Sequence, residues 1–464
     1  MKNLESDRDP VAITLFFEHA FLPSGWAQNV RIAIADGTIA AVTIGPKEQG
    51  DEVVKGVALP GMPNLHCHTF QRGMAGLAER RGPGDDSFWT WRDVMYGFLG
   101  RLTPEDVEAI AAFAYVEMLE QGFTAVGEFH YIHHAADGTP YRDLAEMGAR
   151  VIAAAGSTGI GLTLLPAFYA NGGFGAAPVL PGQRRFLNDP ERFLKLVDAL
   201  RAAATGIPSA IVGIAPHSLR AVTPESLNEV VTATPHGPIH IHIAEQMKEV
   251  DDCLAWCGAR PVTWLYDNMP VDARWCLIHA THMTSEETKR MAMSGAVAGL
   301  CPITEASLGD GVFNGPEYLA AGGRLGIGSD SNIEIDAAGE LRLLEYSQRL
   351  RYRGRNIMTT AADESTGHRL FTAALAGGAQ ALGRPIGSLA QGQRADIVVL
   401  AVDHINFSTI AREHWLDAWI FAPGRPAINT VYAGGRKVVH EGRHLQRDQI
   451  EARYRATITR MMNV

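Results

Sequence analysis

His66 and His68 stand two apart in MPNLHCH, and on an extended chain that spacing puts both imidazoles on one face. Two imidazoles on one face can grip one cation. His242, in PIHIHIAE, and Asp330, in LGIGSD, could complete a set of three nitrogens and one carboxylate. Such donors suit one divalent ion, Zn²⁺ first and Fe²⁺ as the alternative. An ion so held lowers the pKa of its water to about 7, which gives hydroxide near neutrality. Attack on a C=N carbon then releases ammonia, provided the departing nitrogen receives a proton. Glu245, three residues past His242, could carry that proton, His279 could orient the hydroxide, and Asp330 could both ligate and take the water's proton. Taken singly, Glu245 reads as a loop carboxylate and His279 as a core imidazole. His240 lies on the same face as His242 and could be the ligand instead; His242 is nearer the strand end and carries the glutamate. His133 and His134 read as loop residues.

These side chains need elements to aim them. Eight short apolar runs occupy the middle of the chain: MPNLHCH, FTAVGEFHY, GLTLLPAFY, SAIVGIAPHS, PIHIHIAE, WCLIHA, GAVAGLCP and LGIGSD. Amphipathic segments separate them. In TPEDVEAIAAFAYVEMLEQG, Thr103 can cap, Pro104 fits the first turn and Gly122 follows the end. Eight such alternations predict an α/β fold, a (β/α)8 TIM barrel, over residues 62–384. A doubly wound sheet is the alternative, weakened because no GxGxxG or Walker loop follows the first run. The ends differ. VAITLFFEHAFL, VRIAIADGTIAAVTIG, RADIVVLAV and INTVYAGGRKVVHEG read as strands with Asp-Gly and Gly-Gly turns. Neither end can form a core alone, so residues 1–61 and 385–464 are expected to make one small β-sandwich domain. In a barrel, active sites gather where strands end. His66 and His68 end the first run, His130 and Tyr131 the second, His217 the fourth, His242 and Glu245 the fifth, His279 the sixth and Asp330 the eighth.

The bulk properties narrow the class. With 464 residues, 46% hydrophobic and 20% charged, the composition is that of an ordinary globular protein. A formal charge of −10 without any Lys/Arg run disfavours nucleic acid and anionic membranes. No apolar run reaches the roughly 18–20 residues of a membrane span, and the polar MKNLESDRDP start is unlike a secretory signal. Five scattered cysteines suggest reduced thiols and a cytoplasmic setting. Cys253 and Cys257 have no second pair and read as two residues on one helix face.

LPGMPNLHCHTFQRGMAGLAE, GEFHYIHH, APHSLRAVTPE, HIHIAEQ, LIHATHM, CPITEASLGDG and GIGSDSN together resemble the amidohydrolase superfamily, in its single-metal deaminase branch. HCHTFQRGMAG, DSFWTWRDVMYGF and CPITEASLGDG narrow the resemblance to the formimidoylglutamate deiminases of histidine breakdown. The resemblance covers nearly the whole chain. It implies that His66, His68, His242 and Asp330 hold the metal and that Glu245 and His279 handle protons. It also implies that Gln71, Arg92, Tyr131, His217 and Arg220 line the substrate pocket, and that the protein is a homodimer. Cys67 stands between the first two ligands where Ser is expected. No Lys ends the fourth run, which argues against the lysine-bridged two-metal sites of the wider family. The implied substrate is a small dicarboxylate formamidine, and Arg92 and Arg220 could each clamp a carboxylate bidentately. Rival readings are a guanine, cytosine or thioadenosine deaminase, a hydrolase of s-triazines, and a metal-free barrel that only binds a ligand.

Overall fold

A computed structural model of the protein describes residues 13–360, 362, 365–401, 403–422 and 427–463. The polar MKNLESDRDP start lies outside the described residues. Strands from both chain ends share one sheet, nine-stranded among the described residues. Val57–Pro60 pairs in parallel with Ile13–Leu22 on one side and antiparallel with Ile397–Leu400 on the other, which stitches the two ends together. Leu15, Phe17, Val30, Ile32, Ile397 and Val399 are buried in one apolar cluster of this sheet. Two antiparallel ribbons extend it, Ile13–Leu22 with Gly25–Ala35 and Ile428–Ala433 with Arg436–His440. Asp36 and Gly37, and Gly434 and Gly435, take positive φ at two of its turns, as the Asp-Gly and Gly-Gly pairs require.

The middle of the chain supplies parallel strands in sequence order. Met62–Cys67, Phe123–His130, Gly161–Phe168 and the broken strand Ala210–Val212/Ala215–Pro216 form one sheet. Ile239–Ile243, Trp275–His279, Val297–Leu300 and Arg324–Ile327 form another. Backbone hydrogen bonds join the two sheets at both edges. His240 N donates to Ile214 O at 3.1 Å and His242 N to His217 O at 3.1 Å. At the opposite edge Asp330 N donates to His66 O at 3.0 Å, and His68 N to Asp330 O at 2.9 Å. Gly328 permits this second seam, because a Cβ there would lie 2.7 Å from His66 O. These strands are buried on both sides, apart from the exposed Arg324 and the half-buried Ala210–Val212. That is why they read as continuous apolar runs.

Helices separate the strands. Pro104–Glu120 starts as its sequence predicts: Asp106 N donates to Thr103 Oγ1 at 3.3 Å and Thr103 N returns to Asp106 Oδ2 at 2.9 Å. The last helix, Arg447–Met462, leaves the terminal sheet and lies on Pro104–Glu120. Phe113 and Tyr454 stack there at 4.1 Å, and Arg453 pairs with Glu108 at 2.9 Å. No helix among the described residues is long and apolar enough to cross a membrane.

Candidate active site

Each polar residue expected at a strand end is found there. His66 lies within Met62–Cys67, with His68 just beyond it, and His242 is the penultimate residue of Ile239–Ile243. His279 ends Trp275–His279, and Asp330 follows Arg324–Ile327. His279 and Asp330 take φ of +67° and +43°, a left-handed turn that non-glycine residues rarely adopt. Such strain persists where surrounding structure fixes it, and it turns the chain sharply off each strand.

The four candidate ligands converge. His66 Nε2 lies 3.1 Å from His242 Nε2 and 3.4 Å from Asp330 Oδ1, and His68 Nε2 lies 3.3 Å from that same oxygen. His68 Nδ1 and His242 Nδ1 face the carbonyls of Phe129 and His217 at 2.8 and 3.1 Å. Those carbonyls can only accept, so both Nδ1 atoms carry the proton and both Nε2 atoms turn bare lone pairs inward. Burial pushes His66 down to about 3, and lowers His68 and His242, so all three imidazoles are neutral. Bare lone pairs and a carboxylate crowded together repel unless a cation sits among them. Donors about 2.0–2.2 Å from a tetrahedral ion stand about 3.3–3.6 Å apart, near the spacings seen here. The set therefore fits one divalent cation.

His240 goes elsewhere: its Nε2 bonds to Ala381 O at 2.8 Å. His133 and His134 are buried against the carbonyls of Ala167 and Leu187. Cys253 and Cys257 lie on Met247–Cys257 with sulfurs 4.0 Å apart, and all five cysteines are free thiols. Cys301 joins His279 and Asp330 in a second cluster that the sequence did not single out. Burial pushes its thiol well up, which keeps it a protonated, poor ligand.

Around the cluster lie groups that can move protons. His279 Nε2 is 3.6 Å from Glu245 Oε1 and 3.8 Å from Asp330 Oδ2, and its Nδ1 is 3.2 Å from Glu305 Oε1. Burial acts to lower His279, but Glu245, Glu305 and Asp330 outweigh it and hold the imidazolium up to about 10. Burial raises Glu245 to about 7 against the pull of His279 and Arg220. Burial also opposes ionisation of Asp330, yet His66, His68 and His279 keep its carboxyl below the ordinary range. Glu249 accepts from Ala244 N and Glu245 N, both at 3.2 Å, and so fixes the turn that carries Glu245. Glu305 and Glu249 were invisible as site residues because one carboxylate in a helix reads like any other.

The cluster opens into a cavity of about 270 Å³. Gln71, Arg92, Tyr131, His217 and Arg220 all line it, with Trp89 and Lys248, which sequence reasoning passed over. Gln71 Nε2 donates to Tyr131 Oη at 3.0 Å. The Nε–H groups of Arg92 and Arg220 are buried without an acceptor among the described residues. Arg92 rides on Phe88–Leu99, whose end is held by a buried arginine: Arg185 Nη1 donates to Leu99 O at 2.5 Å and its Nε to His134 O at 2.9 Å.

Known proteins can be set beside this geometry. The amidohydrolase family matches residues 57–438, and the N-terminal domain of formimidoylglutamate deiminase HutF matches residues 14–55. Formimidoylglutamate deiminase of Pseudomonas aeruginosa is 53% identical over 432 residues, 93% of this chain and 95% of that protein. 8-Oxoguanine deaminase of the same species is 30% identical over 76% of both chains. A crystal structure of an amidohydrolase from Brucella melitensis superposes with a TM-score of 0.94 at 53% identity, over 97% of this chain and 100% of that one. With the match spanning most of its length, this chain belongs to the amidohydrolase family.

Proposed function

We propose that this protein hydrolyses N-formimidoyl-L-glutamate to N-formyl-L-glutamate and ammonia, a step of histidine degradation. The observation that carries the reading is the cavity's division of labour. At its base, three imidazoles and a carboxylate converge, with His66–His242, His66–Asp330 and His68–Asp330 separated by 3.1–3.4 Å. Its wall bears two guanidinium groups whose buried Nε–H donors lack acceptors among the described residues. A formamidine presented to the base and two carboxylates presented to the wall satisfy both halves. The 53% identity to a formimidoylglutamate deiminase supports the same substrate.

The amidohydrolase family is metal-dependent. In our reading His66, His68, His242 and Asp330 hold one divalent ion, Zn²⁺ first and Fe²⁺ as the alternative, which when bound supplies Lewis-acid activation of water. The protein's own groups do the rest. Asp330 takes a proton from the attacking water as its oxygen adds to the formamidine carbon. His279, charged at neutral pH, stands ready to stabilise the negative charge that develops. Glu245 relays both water protons to the terminal nitrogen, first the one taken by Asp330 and then the hydroxyl proton of the adduct as its C=O forms; the C–N bond breaks, ammonia leaves, and the formyl C=O remains. Arg92, Arg220, Gln71, Tyr131 and His217 bind and orient the substrate.

The parallel strands close as a (β/α)8 barrel over residues 62–384, supported by the hydrogen bonds at both sheet edges. Residues 1–61 and 385–464 are assigned to a composite small β domain, whose described strands wrap around their own apolar cluster, with the last helix reaching beyond it. The packing of Arg447–Met462 on Pro104–Glu120 favours placing that helix on the barrel. The test is ammonia release from formimidoylglutamate measured beside guanine, cytosine and thioadenosine. Faster release from a base overturns the substrate assignment.

A further inference from the structure

Trp89 lines the cavity with three cations around one indole. Arg92 Cζ lies 4.5 Å from a ring centroid of Trp89, Lys248 Nζ 5.7 Å and Arg220 Cζ 5.8 Å. Three like charges crowded into one wall repel one another. The negative face of an indole is the side chain best able to hold them there.

The three cations are not equally committed. Arg220 Nη2 already lies 4.0 Å from Glu245 Oε2 and also feels Glu249, so part of its charge is answered within the protein. Arg92 has no salt bridge among the described residues. Lys248 Nζ meets Asp252 at 2.6 Å, one turn along Met247–Cys257, with side chains 57% and 42% exposed. An exposed pair of this kind contributes little, so its ammonium can exchange partners readily. Two substrate carboxylates facing Arg92 and a partly neutralised Arg220 lack part of their counter-charge, and Lys248, held by an exposed pair alone, is the lining cation placed to make up the difference.

We propose that Lys248 is a specificity-determining residue that leaves Asp252 to bind one substrate carboxylate, and that Trp89 is the positioning residue holding Lys248, Arg92 and Arg220 in one cationic wall. The inference rests on the dicarboxylate reading given above. It adds a third cation and its platform to the two arginines.

The test uses the metal-loaded full-length enzyme and three substrates: N-formimidoyl-L-glutamate, N-formimidoyl-4-aminobutanoate and N-formimidoyl-2-aminobutanoate. The second and third each lack one carboxylate. Lys248→Gln should raise KM for the dicarboxylate roughly ten-fold, as loss of one charge-assisted hydrogen bond does, with kcat within about two-fold. That penalty should vanish for the one analogue that lacks the carboxylate read by Lys248 and persist for the other. Asp252→Asn frees the ammonium and should lower KM roughly two-fold. Trp89→Leu should raise KM for every substrate, whereas Trp89→Phe, which restores a ring face, should recover most of the loss. An unchanged KM in Lys248→Gln, or an equal rise on all three substrates, overturns the assignment of Lys248. Equal behaviour of Trp89→Leu and Trp89→Phe overturns the platform. If the unaltered enzyme releases no ammonia from the dicarboxylate, the substrate reading itself falls, and this inference falls with it.

Discussion

Replacing Glu245 by Gln removes the proposed proton carrier while keeping the side chain's size. Glu245 is 5% exposed, so a residue that did not fit would disturb the core, and Gln fits. The change has two effects. First, the amide cannot deliver a proton to the leaving nitrogen, and general acid–base catalysis of this kind contributes about 10²–10⁴-fold. Second, His279 loses a negative neighbour 3.6 Å away. At an effective dielectric of about 20, that contact amounts to about 4–5 kcal/mol gross, offset in part because a buried charge is also removed. His279 therefore becomes easier to deprotonate and a weaker stabiliser of developing charge. Both effects act on kcat, and a fall of about 10³-fold corresponds to about 4 kcal/mol on the barrier. KM should hold or fall, because Arg220 loses its partner at 4.0 Å. Metal content should stay at the unaltered level, since Glu245 lies outside the His66, His68 and His242 cluster. The assay is ammonia release at saturating substrate on enzyme whose metal has been quantified. Activity within ten-fold of the unaltered enzyme would remove Glu245 from proton transfer. Lost metal would show that it supports the ion instead.

Arg220→Met should raise KM for formimidoylglutamate about 10–100-fold, the loss of a charge-assisted clamp, and steady-state kinetics that show only a kcat effect would refute the clamp. Treatment with a chelator should abolish ammonia release while leaving far-UV circular dichroism unchanged, and added Zn²⁺ or Fe²⁺ should restore it; activity that survives complete removal contradicts the ion's role. His66→Ala should lower bound metal per chain, measured by elemental analysis, whereas His240→Ala should leave it in place, because the His240 imidazole bonds to Ala381 O. Burial pushes the Glu340 carboxyl well above its ordinary 4.5, so the folded protein keeps a proton that the unfolded chain releases. Its contribution is intact below that value and declines as pH rises above it. Glu340→Gln can still accept from Ile303 N and should flatten this decline in denaturant titrations from pH 5 to 8; an unchanged slope would refute it.

The sequence disclosed the parts of the site that depend on periodicity. His66 and His68 share a face by spacing alone, and the strand runs, buried on both sides, stood out as unbroken apolar stretches. The choice between His240 and His242 was not available that way, because both share a parity. Depth along the strand decides it, and depth is set by what the imidazole meets, Ala381 O for one and the His66 imidazole for the other. Partners that act across space left no local signal. Glu305 behind His279 and Glu249 behind Glu245 look like ordinary helix acids. Trp89 and Lys248 are far apart in sequence and meet only when Phe88–Leu99 docks over the cavity. The place of the last helix left no local signal either: Tyr454 stacks on Phe113, a residue far away in sequence.

The donor set straddles the seam where His66 and His68 exchange backbone bonds with Asp330. During synthesis the two histidines emerge from the ribosome early, and Asp330 only after the remaining parallel strands have been made. A nascent or truncated chain thus offers imidazoles without their counter-charge, a feeble competitor for scarce cellular ions. If these four residues hold the ion as proposed, loading would mark molecules whose first and last parallel strands have met, and the ion would seal finished copies as well as act as a reagent.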